Sequence, residues 1–222
     1  IISLFSNARD IQLNYGAVEN KTKIIANGIN IKKYNSLINK RQEKTPKVIT
    51  LIGRVVPIKD IKTFIRAIRV VANNIAEIEG WIVGPEDEDK EDAMECHHMV
   101  DIFDLQKNVK FFGFKNIEEI LPKTGIITLT SISEGMPLIL LEGFAAGIPA
   151  VTTDVGACRE LIYGSSDEDK KIGKSGEVVP IADPTALAKS YIEILGDESL
   201  WKDYQKAAIE RVNKYYNEEI FF

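Results

Sequence analysis

Short runs of apolar, often β-branched residues alternate with helix-like stretches along most of the chain. The runs are predicted to be strands at residues 48–52, 79–83, 109–112, 126–130, 150–153 and 177–179. The predicted helices lie between them, at residues 60–72, 88–104, 116–121 and 137–146. Strands that are apolar throughout, each followed by a helix, are typical of a parallel sheet with helices on both faces. The pattern therefore predicts an α/β fold built on a Rossmann-like, doubly wound parallel sheet.

Two segments flank this alternating region. Residues 1–30 contain a short apolar strand and are predicted to form a linker-side segment that packs on the core. Residues 31–196 form the predicted Rossmann-like domain, and residues 197–222 carry an amphipathic C-terminal helix. The charged stretch 39–46 is expected to be a solvated loop. Because the chain opens on Ile1 and not on Met, we expect it to be one piece of a longer protein.

Composition disfavours several classes of protein. The 222 residues carry a net charge of −5, which argues against a general nucleic-acid or membrane-surface binder. No apolar run approaches the ~20 residues that a membrane-spanning helix needs. The two cysteines, Cys96 and Cys158, suggest no disulfide framework. We therefore expect a protein of the reducing cytoplasm, whose anion sites consist of a few placed cations and backbone dipoles.

The first core strand is followed by a loop with two cations. Ligands of an open parallel sheet bind at the carboxyl ends of its strands. There the strand runs into Gly53 and Arg54, and Lys59 follows just before the next helix. Glycine lets the backbone turn sharply, and the two cations bracket the loop. Arg54 and Lys59 are either ordinary surface charges or part of an anion site, and their position at the ligand-binding edge favours the site.

A second loop of this kind joins the strand at 126–130 to the helix at 137–146. It contains Glu134 and Gly135, and Pro137 is expected in the first helical turn because it has no N–H group to leave unpaired. The free N–H groups of its neighbours would then point to the ligand side, with the positive end of the helix dipole behind them. Such an arrangement binds phosphate.

Glu142 lies inside that helix among apolar neighbours, where a carboxylate is poorly solvated without a partner. It is either one half of a structural ion pair or an acceptor for a pair of ribose hydroxyls, and the second explains its position better. The Glu-x7-Glu spacing of Glu134 and Glu142 is weak by itself, because the pairs 160/168 and 210/218 share it. Only Glu134 and Glu142 span a glycine-rich turn from strand to helix.

Other motifs are weaker. Glu95 and His98 have the Glu-x-x-His spacing of metal-binding helical bundles, but the predicted fold is no bundle, so a solvated helix face is favoured. Cys158 has no histidine nearby in sequence to activate it as a nucleophile. A dinucleotide-binding dehydrogenase needs a Gly-x-Gly-x-x-Gly turn, which the sequence does not contain. We also find no Asp-x-Asp at a strand end, so no metal site is predicted.

Several motifs occur together and in a fixed order. They are Asn27-Gly28-Ile29, Gly53-Arg54 with Lys59-Asp60, Glu134-Gly135 with Pro137-Leu138 and Leu141-Glu142-Gly143, the run 147–151, and the run 153–156. Together they resemble the retaining family-4 glycosyltransferases of GT-B architecture, and the resemblance covers nearly the whole chain. More narrowly, residues 52–60, 80–89 and 129–134 resemble the subgroup that makes the Pel exopolysaccharide.

The resemblance implies roles for individual residues. Arg54 and Lys59 would hold the donor diphosphate, Glu142 would bind the ribose hydroxyls, and Glu134 would face the donor sugar. Two cations and a helix N-terminus can stabilise the leaving group without a metal or another cofactor. Arg54, Lys59 and Glu134 are thus the implied catalytic residues. The other implied donor-binding residues act mostly through the backbone and are Gly53, Phe114, Lys115, Gly135, Met136, Pro137 and Leu138.

The implied protein is the nucleotide-sugar-binding C-terminal domain, one GT-B half, of a retaining hexosyltransferase of exopolysaccharide synthesis. UDP-glucose is the expected donor. Residues 1–30 would lie between the domains, and the C-terminal helix at 197–222 would cross back onto the missing N-terminal domain. An orphaned interdomain face is therefore expected at the aromatic residues Trp201, Tyr204, Tyr215 and Tyr216.

The implied partners are the nucleotide-sugar donor, the missing N-terminal domain and a membrane-bound polysaccharide-synthesis complex, with no nucleic acid among them. The location is cytoplasmic, with attachment to the inner membrane through partners. Because the acceptor site would lie in the missing half, this piece is expected to be inactive alone. The alternatives are a noncatalytic nucleotide-sugar-binding module and one half of a GT-B-like nucleotide-sugar epimerase.

Overall fold

The computed structural model describes residues 1–41 and 44–220, so part of the predicted loop 39–46 lies outside the described residues. The chain begins with a small unit of two short parallel strands and one helix, followed by a second short helix that leads to the core. These elements are β1 (Ile2–Ser3), α1 (Ser6–Asn14), β2 (Lys23–Ile24) and α2 (Ile31–Asn35).

A six-stranded parallel sheet forms the centre of the fold. Its strands are β3 (Val48–Ile52), β4 (Glu79–Val83), β5 (Val109–Phe111), β6 (Ile126–Leu129), β7 (Ala150–Thr153) and β8 (Gly176–Val179). They lie in the order β5-β4-β3-β6-β7-β8, so the strand order reverses between β3 and β6. The α/β, doubly wound parallel sheet predicted from the sequence is confirmed, with strand bounds that differ by at most one residue.

Helices cover both faces of this sheet. The helices are α3 (Ile61–Ala72), α4 (Lys90–Ile102), α5 (Ile117–Ile120), α6 (Leu138–Ala145), α7 (Cys158–Tyr163), α8 (Asp167–Lys170), α9 (Pro184–Gly196) and α10 (Glu198–Tyr215). Two large apolar clusters form the core: α3 and α9 pack into one, and α6 and α7 into the other. A Cβ atom on Gly143 would lie 2.0 Å from Cδ1 of Ile127, so this glycine lets α6 approach β6 closely.

Buried hydroxyl groups cross-link the strands. A hydrogen bond of 2.8 Å links the Oγ1 atoms of Thr50 on β3 and Thr124 just before β6. Thr128 on β6 donates to the backbone oxygen of Val151 at 2.9 Å and also contacts the hydroxyl of Tyr191 on α9. These polar groups lie inside an otherwise apolar sheet and are paired with one another or with the backbone.

A buried ion pair attaches α10 to α8. Arg211 and Asp169 have fully buried side chains, and Nε of Arg211 donates to Oδ1 of Asp169 at 2.7 Å. The guanidinium also donates to the backbone oxygens of Ile162 at 3.0 Å and Gly173 at 2.7 Å, and to the hydroxyl of Ser175. The remaining carboxylate oxygen, Oδ2, accepts from the backbone N–H of Ser165 at 2.9 Å. Both charges are therefore fully hydrogen-bonded.

The aromatic residues of α10 do not form an exposed interdomain face, and that expectation is wrong for three of the four. Trp201, Tyr204 and Tyr216 are buried in this domain, and Tyr215 is half-buried. The indole N–H of Trp201 donates to the backbone oxygen of Gly125 at 2.8 Å, which ties the helix to the start of β6. The amphipathic face of α10 thus packs within its own domain, against α6 and α9.

The expectation of a solvated loop at 39–46 is wrong for Arg41. Its guanidinium is half-buried and donates to the backbone oxygens of Leu121 at 3.1 Å and Thr124 at 2.8 Å. Burial of this guanidinium lowers the pKa of Arg41 to about 10. The side chain therefore joins the segment before β3 to the segment before β6.

Candidate functional site

Two loops meet at the carboxyl edge of the sheet, where the strand order reverses. One follows β3 and the other follows β6. The backbone N–H of Ile132 donates to the oxygen of Ile58 at 3.0 Å, and the hydroxyl of Thr130 donates to the oxygen of Lys59 at 2.7 Å. The crevice at such a reversal is where open α/β sheets bind ligands. The two predicted loops are therefore joined at the expected place.

Lys59 and Glu134 form the centre of this site. The Nζ atom of Lys59 lies 2.5 Å from Oε1 of Glu134, and the two side chains are 19% and 13% exposed. The hydroxyl of Ser131 donates to the same carboxylate oxygen at 2.6 Å. The structure thus brings together a cation and a carboxylate that lie 75 residues apart in sequence. Sequence reasoning placed both at this edge but did not find the contact of Ser131.

Arg54 lies in the same loop as Lys59 but has a different partner. Its Nη1 atom lies 2.5 Å and 2.6 Å from the two carboxylate oxygens of Glu88, and the pair is largely exposed. Glu88 belongs to the acidic run before α4, where Asp89 caps the helix by accepting from the backbone N–H of Asp92 at 3.0 Å. This acidic run therefore supplies a counter-ion to a candidate site residue.

The N-terminus of α6 faces the same edge. Pro137 is the N-cap residue, with φ −72° and ψ 115°, so the expectation that it lies in the first helical turn is wrong by one position. Within the described ranges, the N–H groups of Gly135, Met136 and Leu138 donate to no protein acceptor. These unpaired donors and the positive end of the helix dipole favour an anion.

Glu142 has a neutral partner. The hydroxyl of Tyr34 on α2 donates to Oε1 of Glu142 at 2.7 Å, and the carboxylate is half-buried. Burial first, and then the hydrogen bond to Glu142, raise the pKa of Tyr34 above its usual value. None of the ion pairs among the described residues includes Glu142. This disfavours the ion-pair interpretation, and Tyr34 is a site residue that sequence reasoning missed.

The remaining predicted donor-binding residues lie around this centre in different environments. Phe114 follows β5 and is 85% exposed, so its ring is accessible at the carboxyl edge. Met136 is buried, and its sulfur accepts from the backbone N–H of Asn27 at 3.3 Å, so it offers a ligand only backbone atoms. Leu138 is half-exposed at the start of α6. Gly53 packs against the methylene groups of Lys59.

Gly156 holds the loop after β6 against the turn after β7. A Cβ atom at this position would lie 2.2 Å from the oxygen of Gly135 and 2.4 Å from the oxygen of Glu134. The residue also has φ +53°, a conformation that favours glycine. The next backbone N–H, of Ala157, donates to the oxygen of Gly135 at 2.8 Å. The position of Glu134 therefore depends on a glycine 22 residues later in the sequence.

Two grooves lie elsewhere on the described part of the chain. One groove of about 850 Å³ runs along α10, and another of about 820 Å³ lies at the amino end of β3 and β4. Neither includes Lys59 or Glu134, whose crevice is an open edge. Both grooves are also lined by charged side chains, but they lie away from the switch point, where the unpaired N–H groups and the pair of Lys59 and Glu134 come together.

Two further features are absent from the described residues. No helix among them is long and apolar enough to span a membrane. They also contain no group of three or more His, Cys, Asp or Glu side chains placed to hold a metal ion. Glu95, one member of the Glu-x-x-His motif, instead pairs with Lys62.

The parallel sheet, with its reversal of strand order and its charged crevice, defines the chain as a Rossmann-like half of GT-B type. It aligns with Anabaena HepE in complex with UDP-glucose at a TM-score of 0.81 and 21% identity, covering 99% of this chain and 60% of that one. It also aligns with the C-terminal domain of a group 1 glycosyl transferase from Francisella tularensis, at a TM-score of 0.71 and 20% identity, covering 86% and 99%. These likenesses establish the fold.

The chain belongs to the family described as Glycosyl transferases group 1, whose model matches residues 34–211. It is 24% identical to the UDP-Gal:alpha-D-GlcNAc-diphosphoundecaprenol alpha-1,3-galactosyltransferase of Escherichia coli, over 81% of this chain and 46% of the relative. It is 25% identical to an uncharacterized glycosyltransferase of Methanocaldococcus jannaschii, over 99% of this chain and 60% of the relative. The chain thus spans about half the length of these relatives.

Proposed function

We propose that this chain is the donor-binding half of a retaining family-4 glycosyltransferase of the Pel subgroup, which transfers glucose from UDP-glucose in exopolysaccharide synthesis. The observation that carries the proposal is the meeting of Lys59, Glu134 and the unpaired N–H groups before α6 at the switch point of the sheet. A structural neighbour, Anabaena HepE, was crystallised in complex with UDP-glucose. The motifs at 52–60, 80–89 and 129–134 support the subgroup.

The diphosphate would lie between Arg54, Lys59 and the N-terminus of α6. A nucleoside diphosphate gains negative charge as the glycosidic bond breaks, and preorganised cations and N–H dipoles stabilise that charge. Both cations are neutralised by carboxylates, Glu88 and Glu134, so the diphosphate would replace these partners. The charge of the leaving group would then be balanced by protein groups alone, without a metal.

The nucleoside and the sugar would occupy opposite ends of the site. Glu142 would accept from the ribose hydroxyls, and the hydroxyl of Tyr34 would hold its carboxylate in place. The base would lie near Gly53 and the exposed ring of Phe114. Glu134 and the backbone of Gly135 would face the donor sugar. The N-cap residue Pro137 and its neighbours Met136 and Leu138 would contribute backbone atoms.

The proposal extends to the surroundings of the chain. The acceptor site would lie in an N-terminal half of the enzyme, so this piece would bind the donor and not transfer the sugar. Residues 1–30 and 197–222 would lie against that half. The whole enzyme would act in the cytoplasm, and a membrane-bound polysaccharide-synthesis complex would hold it at the inner membrane.

Titration of the purified chain with UDP and UDP-glucose by calorimetry tests this function. A charged hydrogen bond to phosphate contributes roughly 1.5–3 kcal/mol, so Arg54→Ala and Lys59→Ala should each weaken UDP binding about tenfold or more. Lys110→Ala is the matched control, because Lys110 also pairs with a glutamate at 2.6 Å but lies on β5. Unchanged UDP binding in both variants, or loss of binding in EDTA, would contradict the proposed site.

Glutamine substitutions separate the two glutamates. Glu142→Gln should weaken binding of UDP itself, because every nucleotide donor carries the ribose. Glu134→Gln should change UDP binding little and should weaken binding of UDP-glucose. If Glu142→Gln binds UDP as the unmodified chain does, the ribose assignment is wrong.

A further inference from the structure

Ser131 is a buried hydroxyl at the end of β6 that the roles above do not use. The residue is 1% exposed, and its Oγ atom lies 2.6 Å from Oε1 of Glu134. Lys59 reaches the same oxygen at 2.5 Å. Glu134 therefore has one charged and one neutral donor on a single carboxylate oxygen.

The two donors are held by different parts of the fold. The backbone oxygen of Ser131 accepts from the hydroxyl of Thr153 on β7 at 2.6 Å, so Ser131 is fixed to the neighbouring strand. Lys59 lies at the end of a loop, and its long side chain packs over Gly53. A lysine ammonium on a flexible stem can change partners, whereas a serine hydroxyl has a short reach and stays with its backbone.

We propose that Ser131 is a positioning residue that keeps Glu134 directed at the donor sugar after the diphosphate has taken Lys59. This inference depends on the proposed function. A phosphate that attracts the ammonium removes the charged donor from a carboxylate that is 13% exposed. A poorly solvated carboxylate is stable only with a hydrogen-bond donor, and Ser131 supplies one that does not compete for the phosphate. Without it, Glu134 would follow Lys59 or turn to solvent.

The neighbouring serine provides a matched control. Ser133 lies two residues later and is exposed, and no hydrogen bond joins its hydroxyl to Glu134 among the described residues. Ser133→Ala therefore removes the same atom from the same loop without changing the contacts of the carboxylate. Any difference between the Ser131 and Ser133 variants reports on the contact with Glu134.

Calorimetric titration of the chain with UDP and with UDP-glucose tests the inference. Ser131→Ala should leave the affinity for UDP within about twofold and lower the affinity for UDP-glucose about tenfold, the effect of one charge-assisted hydrogen bond. In a Glu134→Ala background the same substitution should cause no further loss, because the oxygen that accepts from Ser131 is gone. Ser133→Ala should bind both nucleotides as the unmodified chain does. Ser131→Cys keeps a weaker donor and should have an affinity for UDP-glucose between those of Ser131→Ala and the unmodified chain. If Ser131→Ala does not fold, Ser131→Cys takes its place in the test.

The outcomes separate the inference from the function on which it depends. If the unmodified chain binds neither UDP nor UDP-glucose, the proposed function fails. If it binds both and Ser131→Ala lowers both affinities equally, or neither, the positioning role is refuted. A loss that persists in the Glu134→Ala background would also refute it, because Ser131 would then act through another group.

Discussion

Substitution of Gly156 by alanine should displace the loop that carries Glu134. The added Cβ would lie 2.2 Å from the oxygen of Gly135 and 2.4 Å from the oxygen of Glu134. A carbon–oxygen contact relaxes to about 3.3 Å, so the two segments must separate by about 1 Å. Alanine at φ +53° adds strain of roughly 1–2 kcal/mol, and overpacking adds roughly 1–3 kcal/mol. The free energy of unfolding should therefore fall by about 2–5 kcal/mol.

Two measurements test this expectation. For a chain of this size, each kcal/mol lost from the free energy of unfolding lowers the Tm by about 2–4 °C. The Tm of Gly156→Ala should therefore fall by about 4–20 °C. A misplacement of about 1 Å can reduce a reaction rate ~100-fold. We therefore expect the folded Gly156→Ala variant to bind UDP-glucose more weakly than the unmodified chain at 25 °C, by up to ~100-fold. The assays are thermal melting by circular dichroism and calorimetric titration of the folded variant at that temperature.

Gly113→Ala is the control for backbone strain. Gly113 has nearly the same backbone conformation, φ +59°, but a Cβ there would meet no atom within 4 Å. This variant should lose only the strain of roughly 1–2 kcal/mol. We use it for melting alone, because the next residue, Phe114, is a proposed donor contact. If Gly156→Ala has the same Tm as Gly113→Ala and binds UDP-glucose with the affinity of the unmodified chain, the predicted displacement of the loop is refuted.

Three further predictions concern the core. Arg211→Met leaves the carboxylate of Asp169 buried and unpaired, so chemical denaturation should show a loss of about 3–5 kcal/mol. Lys202→Met on the same helix breaks only an exposed pair with Glu198, so its loss of stability should be far smaller, and equal losses would contradict the assignment. Burial raises the pKa of Cys96 and Cys158 to about 12, so neither thiol should react with iodoacetamide at pH 8 in the folded chain. Because these pKa values are raised above those of unfolded thiols, stability should fall as pH rises from about 9 towards 12, which denaturation at a series of pH values would detect.

The sheet could be predicted from the sequence because its strands carry a strong local signal. Strands buried on both faces are apolar throughout, and each is followed by a helix with its own period, so 48–52 and 79–83 were located to the residue. The same local reasoning placed Gly53 and Glu134 at the carboxyl edge. Parallel strands end on the same edge, so residues after different strands come together without any knowledge of their contacts.

The contacts that define the candidate site were not predictable in this way. Tyr34 meets Glu142 across 108 residues, and nothing in the sequence around Tyr34 distinguishes it from another core aromatic residue. The error at Trp201 has a related cause. An amphipathic period shows that a helix has a buried face but does not identify the surface that covers it. Pro137 suits both the N-cap and the first helical turn, so its position was uncertain by one residue.

The buried threonine hydroxyls that have partners favour one alignment of the strands over others. In a sheet that is apolar on both faces, a strand shifted by two residues keeps every side chain on its proper face. Such a shift moves a side chain by ~6.6 Å, beyond the ~3 Å reach of a hydrogen bond. It would separate Thr128 from Tyr191 and Thr153 from the oxygen of Ser131, and each buried group left unpaired costs roughly 1–3 kcal/mol. The hydroxyls therefore destabilise misaligned sheets that apolar packing alone would not distinguish from the native one.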